Sequence, residues 1–183
     1  MDNITMQAAQ RVAKARAELI LARTFYGVLV SQVDPQPSRA FPTMATNGKV
    51  HYFNPEFITG LTANEVLGVQ AHETEHDARR HHSRRNGRDP KEWNIATDLA
   101  INPDLIREGF TLPKGALLDW KYEGWSAEDI YRARELDRKQ QPQKPEEGDG
   151  QADDEEQEDG GDHAPDDVRD HGTRPAGWWS PVG

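Results

Sequence analysis

The pentapeptide His72-Glu73-Thr74-Glu75-His76 constrains this chain more than any other stretch. It fits H-E-x-x-H, a pattern that carries chemistry when it lies on a helix. Two histidines four residues apart then share one face, a turn apart, and both can grip one cation. The flanking residues support a helix. Thr62 and Glu65 form a capping box, in which each side chain satisfies a backbone N–H at the helix start. Leu61 before the cap and Val66 one turn in form a hydrophobic staple, and Gly68 is the one interruption in the run. Asn86-Gly87 reads as the stop, with Arg84 and Arg85 near the negative end of the dipole. The expectation is one helix of over twenty residues with the histidines near its middle. The alternative is two surface histidines on a charged helix.

A third ligand is sought downstream. Asp89-Pro90-Lys91-Glu92 is a second capped helix start, and the run KEWNIATDLAIN should end by Asn102 because Pro103 follows. Asp98 stands mid-helix among Ile95, Ala96, Leu99, Ala100 and Ile101. Aspartate is a poor mid-helix residue, and burying its charge is costly without a partner. A zinc ion is one such partner, with Asn94 and Asn102, a turn to either side, in support. The alternative is an ion pair with Arg79 or Arg84, and Glu92 and Asp104 are competing carboxylates. Two imidazoles and a carboxylate are a standard catalytic zinc set, with a fourth position for water. Glu73, next to the first ligand, then serves as general base. Tyr122, Tyr131 and His81 are candidate oxyanion donors.

Residues 4–33 read as helical, with Ala8, Ala9, Val12, Ala13, Leu19 and Ile20 near the 3.6 period and a break expected at Gly27. Arg16 and Arg23 fall on the apolar face, which must be partly solvated or offer them acidic partners. Residues 34–39, with two prolines, read as a turn-rich link. Asn47-Gly48 is a hairpin signal, with strands at roughly 40–45 and 49–53. The free edge of such a hairpin could pair with an extended peptide. Trp120, Tyr122 and Trp125 should pack over the core, the alternative being that one of them walls a substrate pocket, and Ser126 should cap a helix running to about Lys139.

Composition sets the remaining bounds. There is no cysteine, so disulfides, thiolate zinc sites and thiol nucleophiles are excluded. No apolar run is long enough to span a bilayer, and Asp2 and Glu18 interrupt any signal-like start, so a cytoplasmic protein is expected. The net charge of −10 is unevenly placed: residues 146–170 hold thirteen acids and one arginine, so the remainder is close to neutral. A folded domain over 1–139 is expected, followed at 140–183 by an acidic, largely disordered tail whose two tryptophans could dock back. That tail reads as solubilising, or as a cover for the cluster of Arg79, Arg80, Arg84, Arg85 and Arg88. The same cluster is the sole argument for nucleic-acid binding, and its ordinary meaning is a solvated helix end.

The stretches TFYGVL, TMATNGKVHYFNPEF, AHETEHDARRHHSRR, RDPKEWNIATDLAIN, GFTLPKGALLD and YEGWSAEDIY, in this order, cover roughly residues 24–131. Together they resemble the metallopeptidase-type domain that precedes von Willebrand factor A-like domains in many bacterial proteins. The resemblance implies a zincin-like α+β fold, mostly helical with a small sheet beside the H-E-x-x-H helix. It also implies zinc held by His72, His76 and a downstream acid, a position that Asp98 fits. It brings no substrate class, and a stand-alone form of the domain is expected here. The reading that results is a zinc-dependent endopeptidase acting on a peptide or protein. The rival is a metal-stabilised interaction module with little turnover.

Overall fold

The computed structural model describes residues 1–140. Its elements, in chain order, are α1 (Asn3–Ala22), α2 (Thr24–Val30), β1 (Asp34–Pro37), β2 (Met44–Thr46), β3 (Val50–Phe53), α3 (Pro55–Gly60), α4 (Ala63–Ala78), α5 (Pro90–Arg107) and α6 (Ala127–Gln140), with a 3-10 turn at Trp120–Tyr122. The class is α+β, mostly helical, with one small mixed sheet. No helix among the described residues is long and apolar enough to cross a membrane. The possible docking of the acidic tail concerns residues outside those described.

The N-terminal helix breaks at Arg23 rather than at Gly27. Gly27 instead permits close packing, because a Cβ there would stand 2.7 Å from the Ile20 Cα. The two arginines on the apolar face find backbone carbonyls instead of acids. Arg16 donates to Val30 O and Val33 O at 2.6 and 2.7 Å, and Arg23 donates to Glu108 O at 3.2 Å. Carbonyls left open at a chain turn need donors, and a guanidinium supplies several at once.

The hairpin forms as expected, with β2 antiparallel to β3. Gly48 takes the left-handed turn at φ 83°, and the Asn47 side chain accepts from Lys49 N and Val50 N. The expected turn-rich link is a strand instead. Residues 34–37 form β1, which pairs parallel with β3, giving the order β1-β3-β2. Its two prolines hid the strand, although proline is tolerated on a sheet edge.

Three apolar clusters run through the molecule. The first joins Ala8, Val12 and Ala15 of α1 to Met44, Phe53, Ile58, Val66 and Val69. The second joins Leu19, Tyr26 and Val30 to Ala71 of α4 and Ile101 and Leu105 of α5. The third joins Trp93, Ala96, Leu99 and Ala100 to Tyr122, Ala127 and Ile130. Helix α4 therefore spans the first two clusters and α5 the last two, so the α4–α5 contact lies at the centre. Gly68 is what lets α4 sit this deep, since a Cβ there would meet the Thr111 carbonyl oxygen at 2.1 Å.

The sheet is fastened to α4 by polar side chains two turns apart on that helix. Gln70 donates to Met44 Sδ at 3.1 Å, and Asp77 accepts from Thr46 Oγ1 at 2.7 Å and meets His51 Nε2 at 2.8 Å. His51 is fully buried, and its Nδ1 has no hydrogen-bond partner among the described residues. Asp77→Ala would leave that buried ring with no partner at either nitrogen. The expected cost is about 2–3 kcal/mol, read as a lowered denaturant midpoint at unchanged slope.

Candidate metal centre

The start of α4 follows the capping box read from sequence: Thr62 Oγ1 accepts from Glu65 N at 3.3 Å, and Glu65 accepts from Thr62 N at 2.7 Å. The end does not. The helix stops at Ala78, well short of Asn86, because Arg80 turns left-handed at φ 55°. Helix α5 differs in the opposite sense and runs through Pro103 to Arg107. Leu105, fully buried in the second cluster, gains from that continuation. The Ala100 carbonyl in the proline turn is taken by Arg79 Nη1 at 2.9 Å. Burial of an aliphatic side chain, worth about 2 kcal/mol or more, offsets much of the proline penalty.

On this frame His72, His76 and Asp98 converge, and all three are buried. The two Nε2 atoms stand 2.9 Å apart. Asp98 Oδ1 lies 3.6 Å from His72 Nε2 and 3.3 Å from His76 Nε2. Ligands held at about 2.0–2.1 Å in a tetrahedron stand roughly 3.4 Å from one another, and the three separations bracket that value. Asp98 is 1% exposed, and neither of its oxygens has a hydrogen-bond partner among the described residues. A carboxylate so placed requires a positive partner. None of the arginines or rival acids supplies the alternative: Arg79 pairs with Glu75 and Asp104, Arg84 with Glu128, and Glu92 with Arg134 and Arg138.

The outer nitrogens of both histidines are engaged. His72 Nδ1 meets Asn102 Oδ1 at 2.9 Å, and Asn102 Nδ2 donates to Leu117 O at 2.7 Å, which fixes the amide with its oxygen towards the ring. His72 therefore carries a proton on Nδ1, and its Nε2 faces inward, free to ligate once its own proton is lost. Asn102 is thus the supporting residue that its spacing suggested. Asn94 is also buried. Glu73, 2% exposed, follows the first histidine on the same helix.

Glu75, the motif's second glutamate, is structural. It meets Tyr26 Oη at 3.1 Å and accepts from Arg79 Nε at 2.8 Å, while Arg79 Nη2 reaches Asp104 at 2.8 Å. This clamp ties the end of α4 to α5, and so holds His76 in register with Asp98. Burial first, and then Glu75, raise the Tyr26 hydroxyl far above its usual pKa, so it remains a donor.

The three candidate oxyanion donors sit as follows. Tyr131 Oη accepts from Asp89 N at 3.1 Å, Tyr122 packs in the third cluster, and His81 lies behind His76 with the two Nδ1 atoms 3.2 Å apart. Of the three aromatics expected over the core only Tyr122 is buried; Trp120 and Trp125 remain 49% and 46% exposed. In the arginine cluster Arg79 and Arg84 are in ion pairs, and Arg88 lies 5.0 Å from the Trp93 ring.

A family described as "Putative metallopeptidase domain" matches residues 7–177. The chain belongs to this family. No curated protein and no solved structure matches it. For a metallopeptidase-family domain the charge states of the triad decide when a cation can enter. Burial works against a protonated His72, but Asp98 outweighs it and raises the imidazole above its usual 6.5. Burial works against an ionised Asp98, but His72 and His76 outweigh it and hold the carboxyl below 3.8. Burial and the nearby His72 lower His76 to about 4.

The cation-free domain thus holds a His72–Asp98 ion pair. The raised imidazole contributes stability that is complete below 6.5 and lost as pH rises through its folded pKa. The lowered carboxyl contributes stability present above 3.8 and lost as pH falls through its own. A cation must displace the His72 proton. Metal affinity should therefore fall as pH drops through the raised pKa of His72, approaching about tenfold per unit below it, with proton release seen as buffer-dependent heats in calorimetry.

Proposed function

We propose that the domain is a zinc-dependent endopeptidase of zincin-like fold, with zinc held by His72, His76 and Asp98. The observation that carries this reading is the convergence of two inward-facing imidazole Nε2 atoms on a buried carboxylate that has no hydrogen-bond partner among the described residues, with Glu73 following the first histidine in sequence. Nitrogen and oxygen donors of this number, with no sulfur, suit zinc and leave room for substrate. Zinc, when bound, supplies Lewis acidity that brings water towards neutral pKa and polarises a carbonyl. Glu73 takes the proton from the attacking water at its carboxylate and hands it to the departing amine nitrogen.

Thr43 O accepts from Asn54 N and Asn47 N donates to Val50 O, so the alternating residues 43, 45 and 47 face β3. The backbone groups of Met44 and Thr46 consequently point away from the sheet at its edge. Met44 and Thr46 are each 1% exposed, however, so this edge is closed to an added peptide strand, contrary to the free edge expected of the hairpin. The side-chain fastening to α4 keeps that edge alongside the metal helix.

The test is metal content together with cleavage. Purified protein should bind one zinc per chain and cut an unfolded protein substrate, with new amino termini as the readout. A chelator should stop cleavage and zinc should restore it. A chain that binds no zinc, or cleaves equally with chelator present, overturns the reading.

A further inference from the structure

The turn that ends α4 does more than stop a helix. Arg80 N donates to Asp77 O and His81 N to His76 O, each at 3.0 Å, which is the paired bonding of a Schellman turn. Such turns usually place glycine at the left-handed position, and a side chain there costs about 1 kcal/mol. Here that position is Arg80. The reversal lays His81, five residues past His76, back beneath the last turn of α4. Its ring is buried and meets His76 edge-on, with centroids 5.2 Å apart at 75°. From the far side Trp93 Nε1 donates to the His81 carbonyl at 3.1 Å, and the Trp93 ring stands edge-on to His81 at 6.1 Å.

We infer that His81 is a positioning residue for the metal site: its Nδ1 accepts the Nδ1–H of His76 and so keeps the bare Nε2 of His76 aimed at the cation. The inference rests on the metal reading above and adds a member to it. A neutral imidazole exists as two tautomers, and an acceptor on one nitrogen selects the form whose other nitrogen is free to ligate. Asn102 does this for His72 with an amide oxygen. His81 does it for His76 with a ring nitrogen 3.2 Å away. Both acceptors are neutral. Asp77, the acid beside His76 in sequence, is instead turned to Thr46 and His51. The two imidazoles are thereby oriented without a further negative charge in a site that already holds Asp98 and Glu73. A carboxylate behind the ring would raise the basicity of the ligand, whereas an imidazole fixes its direction with less of that effect.

Two variants separate positioning from packing. His81→Asn keeps an acceptor, since Oδ1 falls close to where Nδ1 was. His81→Leu fills the space with no acceptor. Both are compared with the wild type by zinc competition titration, by the visible spectrum of the cobalt-substituted protein, and by the thermal midpoint of the metal-free protein. His81→Leu should weaken zinc binding by about 10–100-fold and change the cobalt spectrum. His81→Asn should stay within about threefold of wild type and keep its spectrum, with the two metal-free midpoints close together. Zinc affinity and cobalt spectrum unchanged in His81→Leu, or equal losses in both variants, would show a packed core histidine and overturn the inference. A wild type that binds neither cation overturns the metal reading itself, and this inference with it.

Discussion

Asp98→Ala should weaken zinc binding about a thousandfold, and it should cost the metal-free domain less stability as pH rises through the folded pKa of His72. The two halves of that expectation have one cause. Asp98 is buried, unsatisfied by hydrogen bonds, and faces two imidazole nitrogens. Without a cation, its desolvation is offset only by the protonated His72, and a buried pair that loses one partner is destabilised until the remaining imidazole gives up its proton. With a cation, it is the only anion among the three ligands. Structural zinc sites gain about 10–16 kcal/mol in all, so losing one of three ligands removes roughly 4 kcal/mol, on the order of a thousandfold in affinity. Thermal unfolding with and without zinc reads both halves at once. Wild type at zinc a thousandfold above its Kd should gain about 4 kcal/mol, and Asp98→Ala almost nothing. Zinc stabilisation in Asp98→Ala equal to that of wild type would mean that the carboxylate is not a ligand.

How far the sequence discloses this site depends on the distance over which each feature is encoded. The start of α4 is local: Thr62 and Glu65 satisfy each other within four residues, and the structure shows both bonds. The turn at Asn47-Gly48 is local in the same way. Asp98 was legible because a charge inside an apolar helical run is a local contradiction that needs a partner. The misread features are those that distant residues decide. Pro103 should end α5, but Leu105 has a slot in the second cluster that stabilises the continuation. Residues 34–37 show nothing strand-like alone and become a strand because β3 lies beside them. The early end of α4 rests on an arginine in the left-handed region, a position where sequence would lead one to seek glycine. That last error concealed His81. On a continuous helix, residue 81 lies well round from His76, and only the reversal brings the two rings together.

Glu73→Gln should cut turnover by about 10²–10⁴-fold, the range general-base catalysis supplies, with zinc affinity and substrate KM nearly unchanged. Glu73 is not one of the three converging residues, and glutamine keeps its size, so the triad and the α4 packing should survive the change. What is lost is the ability to take a proton from water and return it to the leaving nitrogen, because an amide cannot exchange protons in this way near neutral pH. This variant separates the two classes of function that the triad allows. A catalyst would lose turnover and keep its metal. A domain in which the cation merely staples α4 to α5 would keep its whole biological effect, since its fold and surface would be those of the wild type. Glu73→Gln retaining full cleavage would place the general base elsewhere; Glu73→Gln retaining full biological effect in a protein that never cleaves would make the metal centre structural.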